Sequence, residues 1–121
     1  MKRAIAAKNP EDLRDSPRFE VALRVMSHGG DFVERYGRLG INGCYFESPE
    51  IHRLGQSVII RIGLMGLGVE VETLAKVVSV GPAGGQVGVA LRFSEVPFET
   101  ERLIARWLDM MVEAHRQVAA G

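Results

Sequence analysis

Two arginines near the start of the chain, Arg14 and Arg18, have the clearest capacity for ligand chemistry. Three residues separate them, which is an R-x-x-x-R spacing. A guanidinium group pairs bidentately with phosphate and also stacks on a purine face, so one residue type can hold both parts of a nucleotide. The simpler alternative is that both arginines are solvated charges on a tail. Their partners would then be the nearby acids Asp12, Asp15 and Glu20.

Residue types that commonly perform catalysis or bind metals are sparse and widely separated. The three histidines, His28, His52 and His115, show no ligand spacing around the single cysteine, Cys44, so we expect no metal site. No nucleophile has a recognisable local signature, so we expect no catalytic residue and no enzyme activity. A cysteine in an apolar strand such as Cys44 more often serves packing than chemistry.

Two other patterns have structural explanations. Residues 63–68 are rich in glycine, but they lack the Lys-Ser/Thr of a phosphate loop and do not open a helix, so they predict a hairpin. Glu70 and Glu72 share one face of a predicted strand, and we expect that face to be solvated because Val69 and Val71 take the inner one.

The elements that must position these residues can be inferred from hydrophobic periodicity. Apolar and polar residues alternate in about six short segments between residues 19 and 93, which predicts strands with one buried face. After Pro97 the apolar spacing changes to three and four residues, which predicts an amphipathic helix. Turns are predicted at residues 28–31, 66–68 and 81–85, and a loop at 49–55. Residues 40–43 are predicted to interrupt the second strand, which begins at Phe32 and resumes at residues 44–46. The pattern indicates an antiparallel meander or barrel, with the helix covering an opening or an edge.

The composition narrows the class of protein further. A chain of 121 residues is long enough for one domain, and its 15 acidic and 15 basic residues cancel. A balanced charge gives no support for binding DNA or RNA. No apolar stretch reaches membrane-spanning length, and a single cysteine cannot form an intramolecular disulfide. We therefore expect a cytoplasmic protein without membrane insertion.

The run from Arg14 to Val25 resembles the start of a PilZ domain, in which R-x-x-x-R leads into the first strand. The segment Gly88-Val89-Ala90-Leu91-Arg92-Phe93, followed by a proline and a helix, is similar to the closing segment of that family. The resemblance covers residues 14 to about 112, and it depends on the order and spacing of the segments. It implies a mainly β fold, a six-stranded antiparallel barrel with a C-terminal α-helix. The predicted domain is 14–115, between a flexible arm (1–13) and a tail (116–121).

The second motif of the family, [D/N]-x-S-x-x-G, falls on residues 38–43, and only Gly43 matches it. Arg38 occupies the acid or amide position and offers only donors, while Gly40 occupies the serine position and has no side chain. Asn42 could substitute for the lost acceptor or serve a left-handed turn, and Arg38 could add a phosphate contact. In the family the two arginines of the first motif hold cyclic-di-GMP. The resemblance therefore implies the ligand-binding set Arg14, Arg18, Arg38, Gly40, Asn42 and Gly43.

Two functional hypotheses follow from this resemblance. The first is a non-enzymatic regulator in bacterial cyclic-di-GMP signalling, in which the ligand closes the R-x-x-x-R arm onto the barrel. The second is a degenerate PilZ-like interaction module that does not bind the nucleotide and regulates motility or pilus and surface behaviour through a protein partner. Met110, which lies off the buried helix stripe, would belong to such a partner surface. Neither hypothesis requires a resident cofactor, and both a monomer and a homodimer remain open.

Overall fold

The described residues form six β-strands and one α-helix. The computed structural model describes residues 17–27 and 30–120, so the predicted arm (1–13), Arg14 and His28 lie outside them. The elements are β1 (Phe19–Met26), β2 (Val33–Leu39), β3 (Gly43–Ser48), β4 (Ser57–Leu64), β5 (Val69–Ala83), β6 (Gln86–Phe93) and α1 (Phe98–Ala120). The strands close into a barrel in the order β1-β2-β3-β6-β5-β4, and every neighbouring pair is antiparallel. The predicted fold class is therefore confirmed.

One face of each strand fills the barrel, because side chains alternate along a strand. The most complete example is β4, which buries Val58, Ile60, Ile62 and Leu64. On the opposite face Glu70 pairs with Arg24, and Glu72 pairs with Arg61. This confirms that the two glutamates belong to a solvated face. Val71 is buried as expected, whereas Val69 is 39% exposed because β5 begins there, beside the turn.

The helix α1 covers one end of the barrel through Trp107. This side chain is 2% exposed, and its indole N–H donates a hydrogen bond of 2.9 Å to the carbonyl of Met65 in the β4–β5 turn. Its ring meets Phe19 of β1 edge to face, with 6.3 Å between the ring centroids. The helix continues to Ala120, so residues 116–120, predicted as a tail, are helical.

The hairpin between β5 and β6 is tighter than the predicted turn at 81–85. β5 continues to Ala83, and only Gly84 and Gly85 form the turn, with φ angles of 54° and 88°. Positive φ at both central residues is the requirement of a type I′ hairpin turn. Pro82 fits within β5 because β4 pairs with β5 only as far as Lys76, so the missing N–H of Pro82 removes no β4–β5 bond.

Replacing Trp107 with alanine tests whether the helix stabilises the barrel from that end. We expect Trp107→Ala to lower the free energy of unfolding by about 3–5 kcal/mol, because it removes a buried ring and leaves a cavity. The matched control is Val118→Ala on the same helix, where the side chain is 79% exposed. Urea denaturation measures both changes, and equal midpoints for the two variants would contradict the proposed packing role.

Candidate functional site

The turn between β2 and β3 forms the centre of the site. The N–H of Gly40 donates to the carbonyl of Gly43 at 2.9 Å, so the chain reverses direction here. The N–H of Phe93 donates to the carbonyl of Asn42, also at 2.9 Å, which ties the turn to the end of β6. Residues 40–43, predicted as an interruption within one strand, are therefore a hairpin connection between two strands, fixed from two sides, and Asn42 is exposed on it.

Gly40 provides the space into which Arg18 packs. A Cβ atom at Gly40 would lie 3.1 Å from Cγ of Arg18 and 3.5 Å from the carbonyl oxygen of Pro17. Gly40 is buried beneath this contact, while Arg18 as a whole is exposed. The glycine in the serine position of the second motif therefore lets the aliphatic part of Arg18 lie against the turn, with its charged end directed to solvent.

Gly43 is required by the distance between two strands. It pairs with Arg92 across β3 and β6, and a Cβ atom at Gly43 would overlap the carbonyl oxygen of Leu91. Any side chain at this position would force the strands apart. The one residue that matches the second motif therefore has a steric role in the barrel.

A groove of about 130 Å³ runs beside this turn. Its apolar part includes Ile41 and Val78, which are 40% and 50% exposed. Arg18, Asn42 and Arg92 also line it. The structure therefore brings Arg18, Gly40, Asn42 and Gly43 of the predicted set to one place, next to exposed apolar surface.

Arg38 lies on the other side of Tyr45. Its guanidinium carbon is 5.4 Å from the centroid of the Tyr45 ring, a distance at which a cation–π attraction operates. Arg38 lines a neighbouring cleft of about 310 Å³ together with Glu20, and it does not line the groove of Arg18. Tyr45 lines both, so Arg38 lies in a cleft that adjoins the groove of Arg18, Gly40, Asn42 and Gly43.

Arg92 and Val78 are among the groove residues that were not predicted from the sequence. Alternation along β6 places Arg92 outward beside the buried Leu91, but it does not say which strand lies next to it. Only the pairing of Gly43 with Arg92 brings that side chain to the turn. Val78 sits where the β5–β6 register shifts, which the local pattern does not show.

The cysteine beside the groove is unreactive in the folded chain. Cys44 is buried, and burial raises the pKa of its thiol to about 12. The thiol therefore stays protonated at neutral pH, which fits a packing role. Within the described ranges, no group of three or more His, Cys, Asp or Glu residues is arranged to hold a metal ion. Nor is any helix among these residues long and apolar enough to cross a membrane.

The fold and the groove define a small antiparallel barrel, closed by a C-terminal helix, with an arginine against its β2–β3 turn. The family model of the PilZ domain matches residues 12–110, which is most of the chain. The chain belongs to the PilZ domain family.

Several solved structures have a similar fold. YcgR of Escherichia coli in complex with c-di-GMP superposes with a TM-score of 0.71 at 16% identity, over 88% of this chain and 49% of that one. MotI, an inhibitor of motility from Bacillus subtilis, gives 0.66 at 14% identity, over 83% and 51%. MrkH of K. pneumonia in complex with c-di-GMP gives 0.66 at 18%, over 86% and 55%. The chain thus spans about half the length of these three proteins. No curated protein matches the sequence.

Replacing Gly43 with alanine tests its steric role. We expect Gly43→Ala to lower the free energy of unfolding by about 1–3 kcal/mol, because the new methyl group must displace the backbone of Leu91. The matched control is Gly63→Ala in β4, where a Cβ atom would meet nothing within 4 Å. Thermal unfolding followed by circular dichroism compares the two, and similar stability would show that β3 and β6 tolerate a side chain at Gly43.

Proposed function

We propose that this PilZ domain is a non-enzymatic regulator that binds c-di-GMP in the groove beside Gly40, with the segment of Arg14 and Arg18 held against the barrel by the ligand. The observation that carries the proposal is the contact of Arg18 with Gly40, since it joins the first motif to the second-motif turn. The c-di-GMP complexes of YcgR and MrkH, which share the fold, support the choice of ligand.

The groove offers suitable chemistry for one part of a cyclic dinucleotide. The guanidinium of Arg18 can donate to a phosphate or to the N7 and O6 acceptors of guanine, and it forms no ion pair with a carboxylate among residues 17–27 and 30–120. Ile41 and Val78 provide apolar surface on which a base or ribose can rest. The side-chain oxygen of Asn42 can accept a hydrogen bond from a guanine edge.

The second motif limits the affinity of this site. Arg38 supplies no acceptor, and it lies over Tyr45 outside the groove, while Gly40 has no hydroxyl. Losing two hydrogen-bonding side chains costs a few kcal/mol, and each 1.4 kcal/mol is a factor of about ten in affinity. We therefore propose that binding depends mainly on arginine contacts and is weaker than in a domain with both motifs intact.

Calorimetric titration of c-di-GMP tests the proposal directly. Wild-type protein at about tens of micromolar should give measurable heat, and Arg18→Ala should lower the affinity about tenfold or more because one charge-assisted contact is lost. The matched control is Arg106→Ala, which removes an exposed arginine of α1 far from the groove in the chain. Absence of heat for the wild type would refute binding.

Restoring the second motif is the complementary change. Gly40→Ser should raise the affinity if the groove is the site, because a hydroxyl returns there, and adding Arg38→Asp should raise it further if the ligand also reaches the neighbouring cleft that residue 38 lines. The serine Cβ would sit 3.1 Å from Cγ of Arg18, so this flexible stem must shift by a few tenths of an ångström. An unchanged or lower affinity in the Gly40→Ser variant would place the ligand elsewhere.

A second candidate function is a protein-interaction module, favoured by an exposed apolar surface where α1 meets the β4–β5 turn. Met65 is 80% exposed and Met110 is 37% exposed. Cε of Met110 would lie 3.2 Å from a Cβ atom at Gly66, so it contacts the residue next to Met65. The neighbour MotI is an inhibitor of motility, and this candidate would regulate motility or surface behaviour through a partner.

Met110→Glu tests this candidate, because a charge in an apolar contact opposes desolvation. In pull-downs from cells, we expect a specific partner to be lost with Met110→Glu and retained with Gln117→Glu, which adds the same charge at an exposed position of the same helix. Capture should persist without nucleotide and with Arg18→Ala. If the Met110→Glu variant still captured the partner, the surface around Met110 would not be the binding site.

A further inference from the structure

We propose that Arg92 of β6, which lies outside both motifs, is a phosphate-binding residue of the groove. The identity of the ligand rests on the proposed function, but the assignment of Arg92 as an anion contact has its own basis. Arg92 is exposed on the outer face of β6 and lines the same groove as Arg18 and Asn42. The groove therefore contains a cation from β6 in addition to the arginine that the first motif supplies.

The charge around Arg92 is unbalanced. Two arginines of the outer face have acidic partners: Arg24 with Glu70, and Arg61 with Glu72. Arg92 forms no ion pair with any residue that the structure describes, and its direct partner on β5 is Lys76. Lys76 likewise forms no ion pair with any of the described residues.

Two like charges directly opposite each other on neighbouring strands destabilise a sheet. The chain carries no net charge, so this pair is a local concentration of positive charge that the overall composition conceals. An anion bound beside Arg92 and Lys76 would relieve their repulsion, which favours a charged ligand group over a neutral one.

The strand on the other side of Arg92 leaves room for a ligand. Its partner on β3 is Gly43, which has no side chain to cover the guanidinium. The adjoining turn carries Asn42 and the Gly40–Arg18 contact. The groove of about 130 Å³ is well below the ~300–1,000 Å³ typical of a site for a whole drug-sized ligand. It therefore suits one phosphate with its sugar, or one base, of a larger nucleotide.

The rival assignment is a contact between Arg92 and the N7 and O6 atoms of a guanine base. A guanine edge is uncharged, so it would not neutralise the Arg92–Lys76 pair. The phosphate assignment predicts a contribution to affinity that is independent of the base. The rival assignment predicts a contribution that disappears when adenine replaces guanine.

The test uses the full chain and the variant Arg92→Gln, with Arg106→Gln as a matched change of an exposed arginine on α1. Calorimetry measures the affinity for c-di-GMP and for its adenine analogue, c-di-AMP. We expect Arg92→Gln to weaken both about tenfold, the loss typical of one charge-assisted hydrogen bond, and Arg106→Gln to change neither. A loss confined to c-di-GMP, or no loss, would overturn the phosphate assignment.

A second measurement separates this inference from the proposed function. The side-chain Nε–H signal of Arg92 is followed by NMR while inorganic pyrophosphate is added. We expect it to shift with saturation, and the signal of Arg106 to stay unchanged. If no cyclic dinucleotide binds but Arg92 shifts in this way, the proposed function fails and the phosphate contact stands. If c-di-GMP binds equally to wild type and Arg92→Gln and pyrophosphate shifts nothing at Arg92, the proposed function stands and the contact is refuted.

Discussion

The close approach of β3 and β6 at Gly43 is the constraint on which the rest of the site depends. A side chain at Gly43 would occupy the position of the Leu91 carbonyl, so these strands pair in this way only when that residue is glycine. The same pairing places Arg92 opposite Gly43, and the bond from the N–H of Phe93 to the carbonyl of Asn42 continues it into the turn. Because β3 and β6 approach each other without a side chain between them, this pairing brings together the β2–β3 turn, Arg18 and Arg92.

The barrel separates the residues that stabilise it from those that can bind a ligand. Inward side chains form the core and pack against α1, while Arg38 and Arg92 lie on the outer face and Arg18 lies against the β2–β3 turn. Changes on the outer face therefore alter the chemistry of the site at little cost to folding. Arg38 is such a residue. It supplies no hydrogen-bond acceptor, and its guanidinium lies over the ring of Tyr45. Gly40 differs, because it is buried in the β2–β3 turn, where it has no hydroxyl and contacts the stem of Arg18.

Most of the fold could be predicted because its signals are local. Alternation identified the strands, and three- and four-residue spacing identified the helix that buries Ile104, Trp107 and Leu108. The predicted turn at 81–85 was too wide because Pro82 is usually excluded from paired strands, yet it is accepted where β4 no longer pairs with β5. Residues 116–120, predicted as a tail, continue the helix, and residues 116–118 are exposed, so they add no buried apolar period to the pattern that identified it.

The sequence by itself determined the barrel pattern, the R-x-x-x-R pair and the loss of acceptors at Arg38 and Gly40. The tertiary structure decided which of these residues share a groove. It put Arg18 with Asn42, added Arg92 and Val78, and left Arg38 beyond Tyr45. The physical reason is that contacts across a barrel depend on the register between strands far apart in the chain. That register is set by the packing and pairing of all six strands together, and no local pattern of side chains contains it.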